Sequence, residues 1–121
     1  MNNNELRIYL IVNESLGMSP GKIAAQCGHA VQELIHKIEI YNYNNFDDRL
    51  HLDCTKIFTK IVLKTSKEEW NKLLETKILY PHSIITDDGR TEVPPNSQTV
   101  IGIGPISKND AKYLVGHLKL L

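Results

Sequence analysis

The alternation of apolar and polar positions predicts a short series of alternating strands and helices. After a polar tail, Met1 to Asn4, which reads as disordered, "LRIYLIV" (6–12) is a continuous β-branched and aromatic run, the signature of a buried strand. "NESLGMS" is a loop. Ser19 is a good N-cap and Pro20 suits the first helical position, so a helix begins there. Nothing interrupts it before "YNYNNFDD", which allows about 20 residues and roughly 30 Å of helix. The segment 42–54 is irregular in pattern. "KIFTKIVLK" (56–64) predicts a second strand. "SKEEW" (66–70) opens a second helix with a capping box, in which Ser66 bonds the Glu69 amide and Glu69 reaches back. Trp70, Leu73 and Leu74 supply its core face. "HSIIT" (82–86) is a third strand and "QTVIGIG" (98–104) a fourth, stopped by Pro105. Ser107 caps a last helix that runs to about Val115. The order β-α-β-α-β-β-α predicts an α/β sandwich on a mixed sheet, in one domain spanning residues 1–121.

Composition changes this picture little. The 121 residues are 41% hydrophobic and 23% charged, ordinary for a globular chain. Lys and Arg number 14, as do Asp and Glu, so no global field steers the molecule towards nucleic acid or membrane. An anionic ligand must be held by a local cluster of cations. Cys27 and Cys54 stand far apart without a CxxC, as expected of reduced thiols in a cytosol-like compartment. "MNNNELR" lacks the apolar core of a signal peptide, and no apolar run reaches membrane-spanning length. The expectation is a cytoplasmic protein with no membrane partner.

Candidate chemistry begins in the first helix. At 100° per residue, Ile23, Cys27, Ala30, Val31, Leu34 and Ile38 cluster on one side, while Lys22, Gln26, His29 and Glu33 fall in a narrow arc roughly opposite. Such a polar stripe is usually a solvated face. Here Lys22 lies in the first turn, where backbone N–H groups and the helix dipole favour an anion, and Ala24, Ala25, Gly28 and Ala30 permit close approach. A second cluster, "TDDGRT", places Asp87, Asp88, Arg90 and Thr91 around a Gly89 turn at the end of a strand, where ligand sites form in open α/β sheets. Asp-Asp-Gly is equally good turn chemistry. On the second strand, Lys56, Phe58, Lys60, Val62 and Lys64 share one face, read as solvated rather than as a base-stacking platform. His29 and His36 are two helical turns apart and His51 and Cys54 stand alone, which is poor metal-ligand spacing. "GIGP" lacks the third glycine of a dinucleotide fingerprint.

"GMSPGKIAAQCGHA", "TDDGRTEVPPNSQTVIGIGP" and the terminal "HLKLL" together resemble the type 2 peptidyl-tRNA hydrolases of archaea and eukaryotes, from about Leu6 to the C-terminus. The resemblance implies a three-layer α/β/α sandwich on a four-stranded mixed sheet. It also implies cleavage of the ester joining peptide to tRNA, with no metal or organic cofactor, tRNA as partner and often a homodimer. It carries catalytic roles to Lys22, Asp87 and Thr91, and supporting, substrate-binding roles to Gln26, His29 and Arg90. A non-catalytic RNA-binding module on the same fold is the alternative. The chain departs from the family pattern at Asp88, where the family has Ala, and at Glu92, where it commonly has Gln. Two added carboxylates beside a site for anionic RNA are unfavourable unless they point away or pair with cations.

Overall fold

The computed structural model describes residues 5–45, 56–57, 59–89 and 92–121. The observed order is β1 (Leu6–Asn13), a 3-10 turn (Glu14–Leu16), α1 (Pro20–Asn45), β2 (Lys60–Thr65), α2 (Lys67–Glu75), β3 (His82–Asp87), β4 (Ser97–Ser107), α3 (Lys108–Val115) and β5 (Lys119–Leu120). The fold is α/β with one mixed sheet, in the strand order β3-β4-β1-β2-β5. β1 and β2 are parallel, and the β1–β4, β3–β4 and β2–β5 pairs are antiparallel. The sheet therefore has five strands rather than four. The fifth is a two-residue edge pairing from "HLKLL", too short to show a period of its own.

Other expectations need correction. α1 runs through Asn45, so the first residues of the segment expected to be irregular are helical; residues 46–55, like the tail 1–4, lie outside the described residues. β2 starts at Lys60 rather than Lys56, and Phe58 is also outside the described residues. Leu74 is exposed, whereas Trp70 and Leu73 are buried as expected. Pro105 does not stop β4, which continues to Ser107. The pairing of β1 with β4 shifts register between Arg7 and Tyr9, opposite Gly104 and Pro105, and a proline is tolerated where the ladder is already interrupted. Gly104 has φ +145° there, and a Cβ on it would stand 2.7 Å from the Arg7 carbonyl oxygen.

Two groups of buried residues flank the sheet. Ile8, Leu10 and Val12 of β1 join Ala30, Leu34 and Ile38 of α1, while Tyr9 and Ile11 join Trp70 of α2 and Val115 of α3. Alternating β1 side chains thus meet different helices, which is why its sequence reads as unbroken apolar. α1 sits close to the sheet: the Ser83 hydroxyl donates to the Ala30 carbonyl at 3.0 Å, and a Cβ on Gly102 would meet Ser83 Oγ at 3.1 Å. Among the described residues no helix is long and apolar enough to cross a membrane.

β1, β2 and β3 point the same way by this pairing, so their carboxyl ends lie at one end of the sheet. The loop after β1 leads there into the start of α1, and the loop after β3 leads into β4.

Candidate active site

The start of α1 is built by capping. The Lys22 amide donates to Ser19 Oγ at 3.3 Å and the Ile23 amide to the Ser19 carbonyl at 2.9 Å, as expected of an N-cap serine. Lys22 therefore occupies the third helical position, pointing from the helix start towards the end of β3. Its Nζ lies 3.1 Å from each oxygen of Asp87, and the two side chains are only 11% and 10% exposed. Removing either partner of so largely desolvated a pair leaves an uncompensated buried charge.

Asp87 is placed by its own turn. The Gly89 amide donates to Asp87 Oδ2 at 3.3 Å, and the Asn96 amide donates to the Asp87 carbonyl at 2.8 Å where β4 begins. Gly89 has φ +76°, and a Cβ on it would fall 2.4 Å from the Pro95 nitrogen, so this turn requires glycine. The same carboxylate both bonds its own turn and pairs with Lys22. Asp88 is exposed, in contrast to Asp87. Arg90 and Thr91 lie outside the described residues.

The polar stripe of α1 is not opposite its apolar face. Gln26 is 4% exposed and Oε1 accepts from Thr99 Oγ1 at 2.6 Å; the same hydroxyl lies 3.4 Å from the Ile85 carbonyl. On the helical wheel Gln26 is about 40° from Ala30, close enough that a helix lying against the sheet buries both. Lys22 and Gln26 thus form a polar border to the core. His29 is exposed, near an open groove of about 1320 Å³ lined also by Leu10, Cys27, Val31, Ile85 and Thr86, and it is not brought to the Lys22–Asp87 pair. Burial pushes the Cys27 thiol up from its ordinary value, which keeps it in the poorly nucleophilic thiol form.

Two contacts were not legible in the sequence. Thr99 faces α1 because β4 shifts register against β3 at this point: Ile85 pairs with Val100 and Thr86 with Gln98, so Thr99 and Val100 both meet the α1 side. A single hydroxyl in "QTVIGIG" was the available signal, and strict alternation would have aimed it at the other face. Glu92 accepts from the Ser19 amide and the Ser19 hydroxyl, each at 2.8 Å. The Ser19 backbone N–H, with its hydroxyl and then Lys22 contributing, holds the Glu92 carboxyl below the ordinary carboxylate range. The added carboxylate is bonded to the two Ser19 donors rather than to a paired cation, and Ser19 lies 73 residues away in the chain, which is why the sequence does not reveal the contact.

A carboxylate, an ammonium and a helix start converging at the carboxyl end of a sheet can orient water and stabilise a developing negative charge. The profile of the family described as "Peptidyl-tRNA hydrolase PTH2" matches residues 6–121. The chain is 32% identical over 124 residues to the probable peptidyl-tRNA hydrolase 2 of Drosophila melanogaster, covering 98% of this chain and 63% of that protein. It is 35% identical over 122 residues to the peptidyl-tRNA hydrolase of Saccharolobus solfataricus, covering 96% and 99%. It is 37% identical over 119 residues to the mitochondrial peptidyl-tRNA hydrolase 2 of Homo sapiens, covering 96% and 64%. The chain therefore spans nearly the whole archaeal relative and somewhat under two thirds of these two animal relatives.

Proposed function

Because the chain belongs to the peptidyl-tRNA hydrolase family PTH2, we propose that it hydrolyses the ester bond between peptide and tRNA in peptidyl-tRNA, with Lys22 and Asp87 at the centre of the site. The observation that carries the assignment of residues is the nearly buried pair of contacts from Lys22 Nζ to both Asp87 oxygens at 3.1 Å. Ester hydrolysis needs an oriented water, a base and stabilisation of the oxyanion. In this reading Asp87 orients or deprotonates the water, directly or through Thr91. Lys22, at the positive end of α1, faces Asp87 and meets the negative charge that develops on the carbonyl oxygen. Gln26, fixed by Thr99, shapes the wall beside the pair, while Arg90 and His29 act on the substrate.

The same proposal includes a three-layer α/β/α arrangement, supported by the division of core residues between α1 and the α2–α3 side. A single domain over 1–121, a cytoplasmic location and a homodimer belong to it as well.

The test is release of peptide from N-blocked aminoacyl-tRNA by wild type, Lys22→Ala and Asp87→Asn, each with a melting curve. A rate falling by about 10²-fold or more in both folded variants is expected, the usual scale for a positioned base or a charge stabiliser. Wild-type binding of tRNA without turnover would instead favour a non-catalytic RNA-binding module.

A further inference from the structure

Helix α1 opens without the acid that its cap calls for. In α2 the box is local: N-cap Ser66 accepts from the Glu69 amide, and the Glu69 carboxylate accepts from the Ser66 amide. In α1 the corresponding third position is Lys22, whose side chain is committed to Asp87. The Ser19 amide and hydroxyl are nevertheless both satisfied, by Glu92 from the far side of the site, one donor to each carboxylate oxygen. Glu92 holds φ +57°, a left-handed conformation that side-chain-bearing residues seldom adopt, and it lies in the stretch between the Asp87 turn and β4. Helix start and Asp87 loop are therefore fastened twice, by Lys22 to Asp87 and by Ser19 to Glu92.

We propose that Glu92 is a positioning residue for the hydrolysis: it completes the cap of α1 across the loop, leaving the Lys22 side chain to face Asp87 and fixing the distance between them. This rests on the hydrolase reading above. The added negative charge stays exposed, but it is stabilised by two donors at the positive end of a helix. A carboxylate serves both donors at once. A glutamine in its place offers one acceptor oxygen and turns an NH2 towards the other donor.

Steady-state hydrolysis of N-blocked aminoacyl-tRNA by wild type, Glu92→Ala and Glu92→Gln tests this, alongside amide hydrogen exchange at Lys22. Glu92→Ala is expected to lower kcat about tenfold with KM within about twofold of wild type, since misplacement by a fraction of an ångström acts on the reacting geometry. Glu92→Gln should recover part of the loss, and the Lys22 amide should exchange about tenfold faster in Glu92→Ala. Wild-type kcat in Glu92→Ala, a loss confined to KM, or unchanged exchange at Lys22 would each overturn the proposal. Should Glu92→Ala fail to fold, the same readings are taken on Glu92→Gln. A wild-type protein inactive on this substrate would sink the hydrolase assignment, and the exchange at Lys22 would still decide whether Glu92 holds the helix start.

Discussion

Thr99 reaches Gln26 only because β4 slips by one residue against β3, and the 2.6 Å bond it makes there is almost fully buried. A buried acceptor deprived of its donor costs about 1–3 kcal/mol, more than the bond itself contributes. Thr99→Val keeps the shape and removes the hydroxyl, so it should lower unfolding free energy by about that amount in urea titrations. Thr99→Ser should stay near wild type, whereas loss in Thr99→Ser with none in Thr99→Val would assign the effect to packing of the methyl group. Gly89 gives a sharper test one turn away. At φ +76° with the Pro95 backbone 2.4 Å from a prospective Cβ, Gly89→Ala must move the turn that holds Asp87. Peptide release should fall by about 10²-fold while the melting temperature changes by only a few degrees, because the strain is local to a loop and the reacting geometry is not tolerant of it. A variant at wild-type rate would show that the Gly89–Asp87 contact does not set the site.

Within the elements, capping decides where helices begin and how they respond to acid. The Ser66 amide holds the Glu69 carboxyl below the ordinary carboxylate range, and Ser19 does the same to Glu92. A carboxylate whose folded value is depressed stabilises the fold above its unfolded value, about 4.3, and that stabilisation is lost as pH falls through the folded value. Both groups are solvated, so the effect is small. Glu69→Gln should melt about 1–3 °C below wild type at pH 7, and the gap should close as pH falls through the folded value, where wild type becomes protonated too. A gap independent of pH would assign the difference to the side chain's shape rather than its charge. The same elements show what a sequence discloses. Ser19, Ser66 and Ser107 were legible as caps because capping is local chemistry. Lys22 and Asp87 were legible through motif and helix position. Thr99, Glu92, the five-stranded sheet and the passage of β4 through Pro105 were not, because each depends on register or on contact between distant segments. Gln26 fell between these cases: the wheel placed it beside Lys22, and only the sheet beneath showed that its stripe borders the core.

Across the whole molecule, positive and negative residues balance at 14 each, and the described cations are in part already engaged by acids. Lys22 faces Asp87, Lys64 lies 3.8 Å from Glu14, and Lys37 lies 3.7 Å from Glu33. On the proposed function, the balanced charge predicts that a tRNA is held through few phosphates, with the ester brought to the carboxyl end of the sheet by local contacts. Each phosphate neutralised adds close to one unit to the slope of log affinity against log salt. Tight binders with many contacts show slopes near −10, whereas this chain should show a slope of about −3, equivalent to about 60-fold weaker binding between 50 and 200 mM salt. Binding of uncharged-peptide tRNA mimics to Asp87→Asn, measured across that range, gives the slope without turnover. Asp87→Asn should also bind more tightly than wild type at low salt, because it removes the anion that engages Lys22 and returns that cation to the substrate. Equal affinity in the two proteins would mean that Lys22 never meets a phosphate and acts on the ester carbonyl and Asp87 alone.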